Sequence, residues 1–144
     1  MQPRFSYVLA RLDRVVRQRI GECVEPYGVT VSQYTALSIL GHRSGLSNAQ
    51  LARRTYVSPQ AMNQLLDQLD QAGLVVREPH ATHGRIRSTR LSAEGKAVLA
   101  GCDEAVDALE AEMLQHIDAD KRAALTETLI DCVRALQGGF EYAE

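Results

Sequence analysis

Residues 47–73 read SNAQLARRTYVSPQAMNQLLDQLDQAG, and the architecture of the chain can be inferred outward from this segment. Ser47 and Gln50 have the S-x-x-Q spacing of a capping box, in which each side chain satisfies a free backbone amide at a helix start. The β-branched and aromatic residues 55–57 end that helix, and Ser58-Pro59 supplies a new N-cap with proline in the first helical position. Two short helices joined by about three residues predict a helix-turn-helix.

The second of these helices, which ends at Gly73, has an apolar side and a side rich in amides. In helix-turn-helix proteins the second helix enters the major groove, and its first turns reach the base edges. Asn and Gln match N6 and N7 of adenine, and an alanine can contact a thymine methyl, which favours an A·T-containing site. Taken alone, these amides fit a solvated helix face equally well. The candidate base-contacting residues are Ser58, Gln60, Ala61, Asn63 and Gln64.

One acidic side chain lies on the same polar face. Asp67 follows Asn63 by one helical turn, where a carboxylate repels phosphate unless it is paired. We therefore expect an arginine from the wing or from a helix to be its partner.

Two strands are predicted after this helix, over residues 74–78 and 86–91, with a loop between them. A basic hairpin directly after the second helix is typical of a winged helix-turn-helix. Arg85, at its tip, is predicted to enter a minor groove, where the negative potential is strongest over narrow A·T tracts. Because successive strand residues face opposite ways, at least one of Arg87 and Arg90 is expected to be an ordinary surface cation. The arginines considered for phosphate contacts are Arg77, Arg87 and Arg90.

Helices are predicted on both sides of this winged region. The first runs from Phe5 to about Glu25, where Pro26 stops it, and Ser32 is the expected N-cap of the second. Ser92 begins a helix that extends to about residue 116, and Asp118 caps a last one. A helix over 92–116 is about 37 Å long, too long for the winged region alone to cover its apolar stripe. The first and last helices, and those of a second copy, are the available surface. The apolar stripe of the last helix is Leu125, Leu129, Val133, Leu136 and Phe140.

The prediction is thus a mainly α fold with a small β-hairpin wing. A winged helix-turn-helix region at 32–91 is flanked by helical dimerisation regions at 1–28 and 92–144.

Composition and charge are consistent with one small DNA-binding unit. The chain has 144 residues and 45% hydrophobic residues, which excludes a large multidomain enzyme and a disordered chain. The formal charge is +3 over residues 1–45, +3 over 46–92 and −8 over 93–144, a polarity that points to a polyanion at the basic end. Arginines make up 14 of the 16 cations, either for phosphate recognition or through coding bias. With no apparent signal peptide or membrane span, we expect a cytoplasmic protein.

With these features in this order, the sequence resembles the MarR family of transcriptional regulators over nearly its whole length. The resemblance implies an obligate homodimer whose N- and C-terminal helices form the interface and whose two winged domains read palindromic double-stranded DNA. The residues that carry it are Val31-Ser32-Gln33-Tyr34, Asn48-Ala49-Gln50-Leu51-Ala52, residues 58–73, Gly73-Leu74-Val75 and Leu91-Ser92-Ala93-Glu94-Gly95.

The wing departs from the family pattern. The usual Asp-x-Arg is here His83-Gly84-Arg85, so the minor-groove arginine is retained while a histidine replaces the bracing aspartate. His83 is therefore included among the predicted DNA-binding residues. The resemblance also implies a small effector, often phenolic or otherwise lipophilic, between the helical region and the winged domain. Its candidate contacts are Arg14, Arg17, Tyr34 and His42.

Other functions find less support in the residues. No enzyme motif is present, and no cofactor is predicted. A thiol- or metal-responsive regulator remains an alternative, although no metal site is predicted and core positions are favoured for the thiols. A winged-helix scaffold that binds protein instead of DNA is the other alternative. The residues that suggest a thiol- or metal-responsive function are Cys23, Cys102, Cys132, His42, His80, His83 and His116.

Overall fold

The computed structural model describes residues 1–79, 82 and 84–138. The chain divides into two compact units, Met1–Leu109 and Glu110–Glu144. The predicted mainly helical fold with a small wing is confirmed. Within the described residues the helices are α1 Phe5–Val24, α2 Val31–His42, α3 Asn48–Thr55, α4 Pro59–Gln71, α5 Ala93–Met113 and α6 Ala119–Ala135, and the strands are β1 Leu46–Ser47, β2 Val75–Pro79 and β3 Arg87–Leu91. Phe140, predicted to continue the stripe of the last helix, lies outside the described residues.

The capping signals start the two helices of the predicted helix-turn-helix. At α3, Ser47 Oγ accepts a hydrogen bond from Gln50 N at 3.2 Å, and Gln50 Oε1 accepts one from Ser47 N at 2.9 Å. At α4, Ser58 Oγ accepts from Ala61 N at 3.1 Å, and proline occupies the first helical position. Both helix starts are therefore confirmed.

The predicted N-cap of α2 is wrong by two residues. Thr30, not Ser32, caps this helix: Thr30 Oγ1 accepts from Gln33 N at 3.2 Å and Gln33 Oε1 accepts from Thr30 N at 3.0 Å. The reason is the T-x-x-Q spacing, which allows a reciprocal capping box. Ser32 is followed three residues later by Thr35, whose hydroxyl instead donates to Val31 O at 2.9 Å.

The sheet has three antiparallel strands in the order β1-β3-β2. The hairpin pairs Val75 with Leu91 and Arg77 with Thr89, close to the predicted strands. The additional strand β1 pairs Leu46 with Thr89 and was not predicted. Its two residues are stabilised by pairing with a distant segment, which a local pattern cannot indicate.

A close backbone approach joins the start of α5 to the end of the α4–β2 turn. Ser92 Oγ donates to Gly73 O at 2.6 Å and accepts from Gly95 N at 2.9 Å. A Cβ added to Gly95 would lie 1.9 Å from Leu74 O, so only glycine fits this position without movement. Gly73 itself has φ +76°, in the left-handed region that glycine adopts without strain.

The core of the first unit lies between α2, α3, α4 and the sheet, and it places α4 with one face buried. Its largest fully buried side chains include Leu37, Leu51, Met62, Leu66 and Leu69. The last three come from α4 and make up its apolar side. The opposite side of this helix is therefore free to face a partner.

Candidate nucleic-acid interface

The exposed face of α4 presents the amides that the sequence identified. Met62, on the other side, is fully buried, so the rotation of the helix about its axis is set by the core. Ser58 is also exposed, although its hydroxyl oxygen caps the helix. The predicted base-contacting residues that are exposed on this helix are Gln60, Ala61, Asn63 and Gln64.

Side chains from α3 and α2 attach both ends of α4 to the rest of the unit. Asn48 Nδ2 donates to Pro59 O at 3.1 Å at the start of the helix. Gln33 Nε2 donates to Gln68 Oε1 at 3.0 Å near its end. These bonds orient the helix in addition to the apolar packing, and neither amide was singled out from the sequence for this role.

The turn between α3 and α4 contains a residue in the left-handed conformation. Tyr56 has φ +56°, and the residue is 77% exposed. Val57 N donates to Ala52 O at 3.2 Å and closes the turn. The β-branched and aromatic segment was predicted to end α3, and it does so with one residue in a conformation that most side chains avoid.

Asp67, predicted to pair with an arginine of the wing or of a helix, pairs with Arg77 of β2. Arg77 Nη1 lies 2.7 Å from Asp67 Oδ1, and its Nη2 donates to Asn63 Oδ1 at 3.2 Å. The arginine side chain is only 5% exposed. Its guanidinium is thus turned toward α4, an arrangement that favours a positioning role over the phosphate contact expected for this residue.

The other arginines of the wing are exposed. Arg85 lies in the turn before β3, and Arg87 lies at the start of that strand. Arg90 Nη2 is 2.9 Å from Glu78 Oε1 across the hairpin, with both side chains 51% exposed. Arg90, like Arg77, therefore has an acidic partner, whereas Arg85 and Arg87 are the exposed candidates for DNA contact. His83 lies outside the described residues.

The four candidate effector contacts are distributed along α1 and α2. Arg14 is exposed, and Arg17 Nε donates to Asp13 Oδ1 at 3.0 Å on the surface of α1. Tyr34 lies near the start of α2, where its hydroxyl donates to Asp103 Oδ1 at 2.7 Å. The ring of His42 lies eight residues further along α2, with Nδ1 2.8 Å from Ser38 O. Eight residues span about 12 Å of helix axis, so Tyr34 and His42 lie in different regions of the unit.

The cysteines occupy interior or half-buried positions. Cys102 is fully buried, and burial, with a smaller contribution from Asp103, raises the pKa of its thiol. Cys23 is half-buried, and its Sγ lies 3.7 Å from Ala105 O. A raised pKa keeps a thiol protonated and unreactive at neutral pH, which disfavours Cys102 as a redox sensor.

Within residues 1–79, 82 and 84–138, no three His, Cys, Asp or Glu side chains are grouped so that they could hold a metal ion. His80 and His83 lie outside those residues. None of the helices in the described part of the chain has both the length and the apolar character needed to cross a membrane.

The fold and the exposed face of α4 define a winged helix-turn-helix protein. Comparison with known proteins specifies its family: a model of the MarR family matches residues 27–86. The HTH-type transcriptional repressor Rv2887 of Mycobacterium tuberculosis (strain ATCC 25618 / H37Rv) is 34% identical over 117 residues, which cover 81% of this chain and 84% of the relative. The chain belongs to the MarR family of transcriptional regulators.

Two solved structures of the Mycobacterium tuberculosis MarR family protein Rv2887 extend the comparison. The complex with DNA has a TM-score of 0.77 and 30% identity, covering 91% of this chain and 98% of that one. The complex with salicylic acid has a TM-score of 0.72 and 31% identity, covering 91% and 97%. The similarity therefore extends well beyond the winged region.

Proposed function

We propose that this protein is a cytoplasmic, sequence-specific DNA-binding repressor that acts as a homodimer and has no catalytic activity. The observation that carries the proposal is the exposed amide face of α4 beside the exposed Arg85 and Arg87 of the wing. In this arrangement α4 reads bases in the major groove while the wing contacts the minor groove and phosphates. The relative Rv2887 is named a transcriptional repressor and has been crystallised with DNA, which supports the same function here.

The proposed DNA-contacting set follows from exposure and position. Gln60, Ala61, Asn63 and Gln64 contact base edges, and Ser58 contacts the backbone at the start of α4. Arg85 enters the minor groove and Arg87 meets a phosphate, with His83 beside them on the wing. Arg77, whose side chain is largely buried, positions this surface through its bonds to Asp67 and Asn63.

Dimerisation is proposed for the regions 1–28 and 92–144, with 32–91 as the DNA-binding region. The support comes from α1, whose apolar stripe is exposed in the single chain: Phe5 is 64% exposed, Leu12 43% and Val15 52%. Large apolar side chains in a continuous row are rarely left in water, and a second copy of the chain is the partner that the family implies. The acidic residues of 93–144 then belong to the dimerisation region instead of the DNA-binding surface.

We propose further that a small aromatic acid regulates DNA binding. The support is the salicylic acid complex of Rv2887. Arg14 and Arg17 supply exposed cations for a carboxylate, and Tyr34 and His42 supply aromatic and polar contacts. Because Tyr34 and His42 are separated along α2, we expect no more than one of them to contact a single small ligand.

The proposal is tested by selecting bound duplexes from a random DNA pool at about 0.15 M salt, near physiological ionic strength, followed by sequencing. A two-fold palindrome with half-sites one helical turn apart, about 34 Å, is the expected result. Repeating the selected binding reaction with salicylate tests regulation, for which weaker DNA binding is expected. The absence of any enriched sequence, with and without salicylate, would contradict the proposal and favour the protein-binding scaffold.

A further inference from the structure

The hydrogen bond between Arg77 and Asn63 determines which end of the Asn63 amide is turned toward the protein. A guanidinium has only donors, so the Asn63 atom that lies 3.2 Å from Arg77 Nη2 must be the acceptor, Oδ1. The Nδ2 amino group is then at the other end of the amide. Asn63 is exposed on the face of α4 that is proposed to enter the major groove.

Arg77 is itself held in place, so the Asn63 amide has a preferred orientation and does not sample both orientations equally. Its Nη1 is anchored on Asp67 Oδ1 at 2.7 Å, and its side chain is 5% exposed. Because the guanidinium is planar and one side is fixed by the charge-assisted bond to Asp67, it has little freedom to turn away from Asn63 Oδ1. The pairing also neutralises Asp67, whose carboxylate is 54% exposed beside the proposed path of the DNA.

Building on the proposed function, we propose that Arg77 is a positioning residue for base recognition. It turns Asn63 so that this residue reads its base as a hydrogen-bond donor only. The base groups that fit are acceptors, namely O6 and N7 of guanine, N7 of adenine or O4 of thymine. The paired contact to N6 and N7 of adenine that the sequence suggested needs both Oδ1 and Nδ2 turned to the base. The bond from the buried Arg77 guanidinium instead draws Oδ1 toward the protein and leaves Nδ2 as the end of the amide that meets the base.

Gln64 provides an internal comparison on the same helix face. It is exposed, and within the described part of the chain its amide has no recorded hydrogen-bond partner. Its two ends are free to exchange, so Gln64 can serve as donor, acceptor or both. Asn63 and Gln64 are equivalent by residue type and position on the helix, but only the amide of Asn63 is held in one orientation.

The test begins with the selected operator and the variant Asn63→Ala. The base pair whose preference is lost in Asn63→Ala is the one that Asn63 contacts. At that base pair, duplexes are made that lack one functional group: N7 of guanine or adenine (7-deazapurines), O6 of guanine, O4 of thymine, or the exocyclic amino group of adenine or cytosine. Affinity is measured for the unmodified protein and for Asn63→Ala.

Deleting the acceptor is expected to weaken binding by the unmodified protein at least about fivefold, the lower end for a specific base contact. The same deletion should leave Asn63→Ala unchanged, and deleting the amino group should leave both proteins unchanged. In Arg77→Met, which keeps an unbranched apolar stem without the guanidinium donors, the loss on deleting the acceptor should fall below about twofold. Arg90→Met is the matched control, since Arg90 pairs with Glu78 and should retain the full effect.

Two results would overturn the inference while leaving the proposed function intact. One is an Asn63-dependent loss on deleting an amino group, which would show that Oδ1 accepts from the base. The other is an Arg77→Met protein with unaltered sensitivity to the acceptor. If Arg77→Met does not fold, Arg77→Lys replaces it, because lysine keeps a cation for Asp67 without the fork that reaches Asn63. A chain that selects no operator would overturn the proposed function and this inference together.

Discussion

The hydroxyl of Tyr34 donates a 2.7 Å hydrogen bond to Oδ1 of Asp103, so that the start of α2 is joined to the middle of α5. The two residues are 69 positions apart in the chain and the bond is partly buried. A hydrogen bond to a charged group contributes about 1.5–3 kcal/mol to stability. This pair therefore links the winged region to the long helix that follows it.

Removing the hydroxyl in Tyr34→Phe should lower the free energy of unfolding by about 1–2 kcal/mol, since an ion-assisted bond is lost while the ring still packs. Urea denaturation at fixed protein concentration measures the change. Tyr7→Phe is the control, because Tyr7 is 58% exposed on α1, and it should change the value by less than about 0.5 kcal/mol. Equal effects of the two changes would contradict the assigned role of the Tyr34 bond.

A methyl group at position 95 should be much more harmful than one at another helical glycine. Gly95→Ala would place Cβ 1.9 Å from the backbone oxygen of Leu74, and overpacking against backbone should cost at least about 2 kcal/mol. In Gly21→Ala the nearest atom is Val31 Cγ2 at 3.5 Å, and alanine favours helix, so stability should stay level or rise by up to about 1 kcal/mol. Thermal unfolding of both variants measures the difference, and a Gly95→Ala protein as stable as Gly21→Ala would refute this packing argument.

Several features of this structure were predictable because their causes are local. The capping box of Ser47 and Gln50 and the N-cap Ser58 involve side chains within three residues of the atoms they bind, so their spacing is visible in the sequence. The Thr30 cap was equally local and was missed because Ser32 is an acceptable N-cap residue by type alone.

Other features depend on contacts between distant segments. Asp67 was predicted to need an arginine, but only the packing of β2 against α4 selects Arg77 over the other wing arginines. The same holds for β1, which pairs with a strand about 40 residues away along the chain. The orientation of the Asn63 amide depends on the position of Arg77 in β2, so the sequence of α4 alone could not predict it.

The buried thiol predicts a specific pH dependence. Burial raises the pKa of Cys102 in the folded chain, so above about pH 9 the unfolded chain loses this proton while the folded chain retains it. The folded state then binds more protons, and the free energy of unfolding falls as the pH rises through this range. No contribution from this group is expected below about pH 8.

Urea denaturation between pH 8 and pH 10 measures this trend in the unmodified protein and in Cys102→Ala. The alanine variant is less stable overall because a cavity remains, but its stability should decline less steeply with pH. Cys132→Ala, at a half-buried site, is the comparison and should keep the steeper decline. Parallel pH profiles for the unmodified protein and Cys102→Ala would argue against this origin of the pH dependence.

The wing and the helix should make separable contributions to DNA binding. Arg85→Ala should weaken binding to all duplexes and reduce the slope of log affinity against log salt by about one per protomer, since one phosphate-region cation is removed. Gln64→Ala should mainly relax base preference at one position per half-site. Titrations at several salt concentrations, with operator and random duplexes, measure both quantities. If the two variants changed operator and random binding to the same extent, the division of roles would be wrong.

The exposed stripe of α1 should determine the oligomeric state. Leu12→Glu places a charge in the middle of this stripe and should shift the protein from dimer toward the 15.9 kDa single chain at micromolar concentration. Gln18→Glu adds the same charge on an exposed position away from the stripe and should remain dimeric. Sedimentation equilibrium distinguishes the two, and a dimeric Leu12→Glu protein would place the interface elsewhere.

The two hydrogen bonds of the Gln33 side chain limit which amino acids the chain can tolerate at position 33. Its Oε1 accepts from Thr30 N and its Nε2 donates to Gln68 Oε1, so a single amide closes the start of α2 and attaches the end of α4. Glutamate would keep the acceptor and lose the donor, lysine would do the reverse, and asparagine would have the right groups on a shorter stem. Among natural variants of this protein, position 33 should therefore show a narrower range of amino acids than its exposure would suggest.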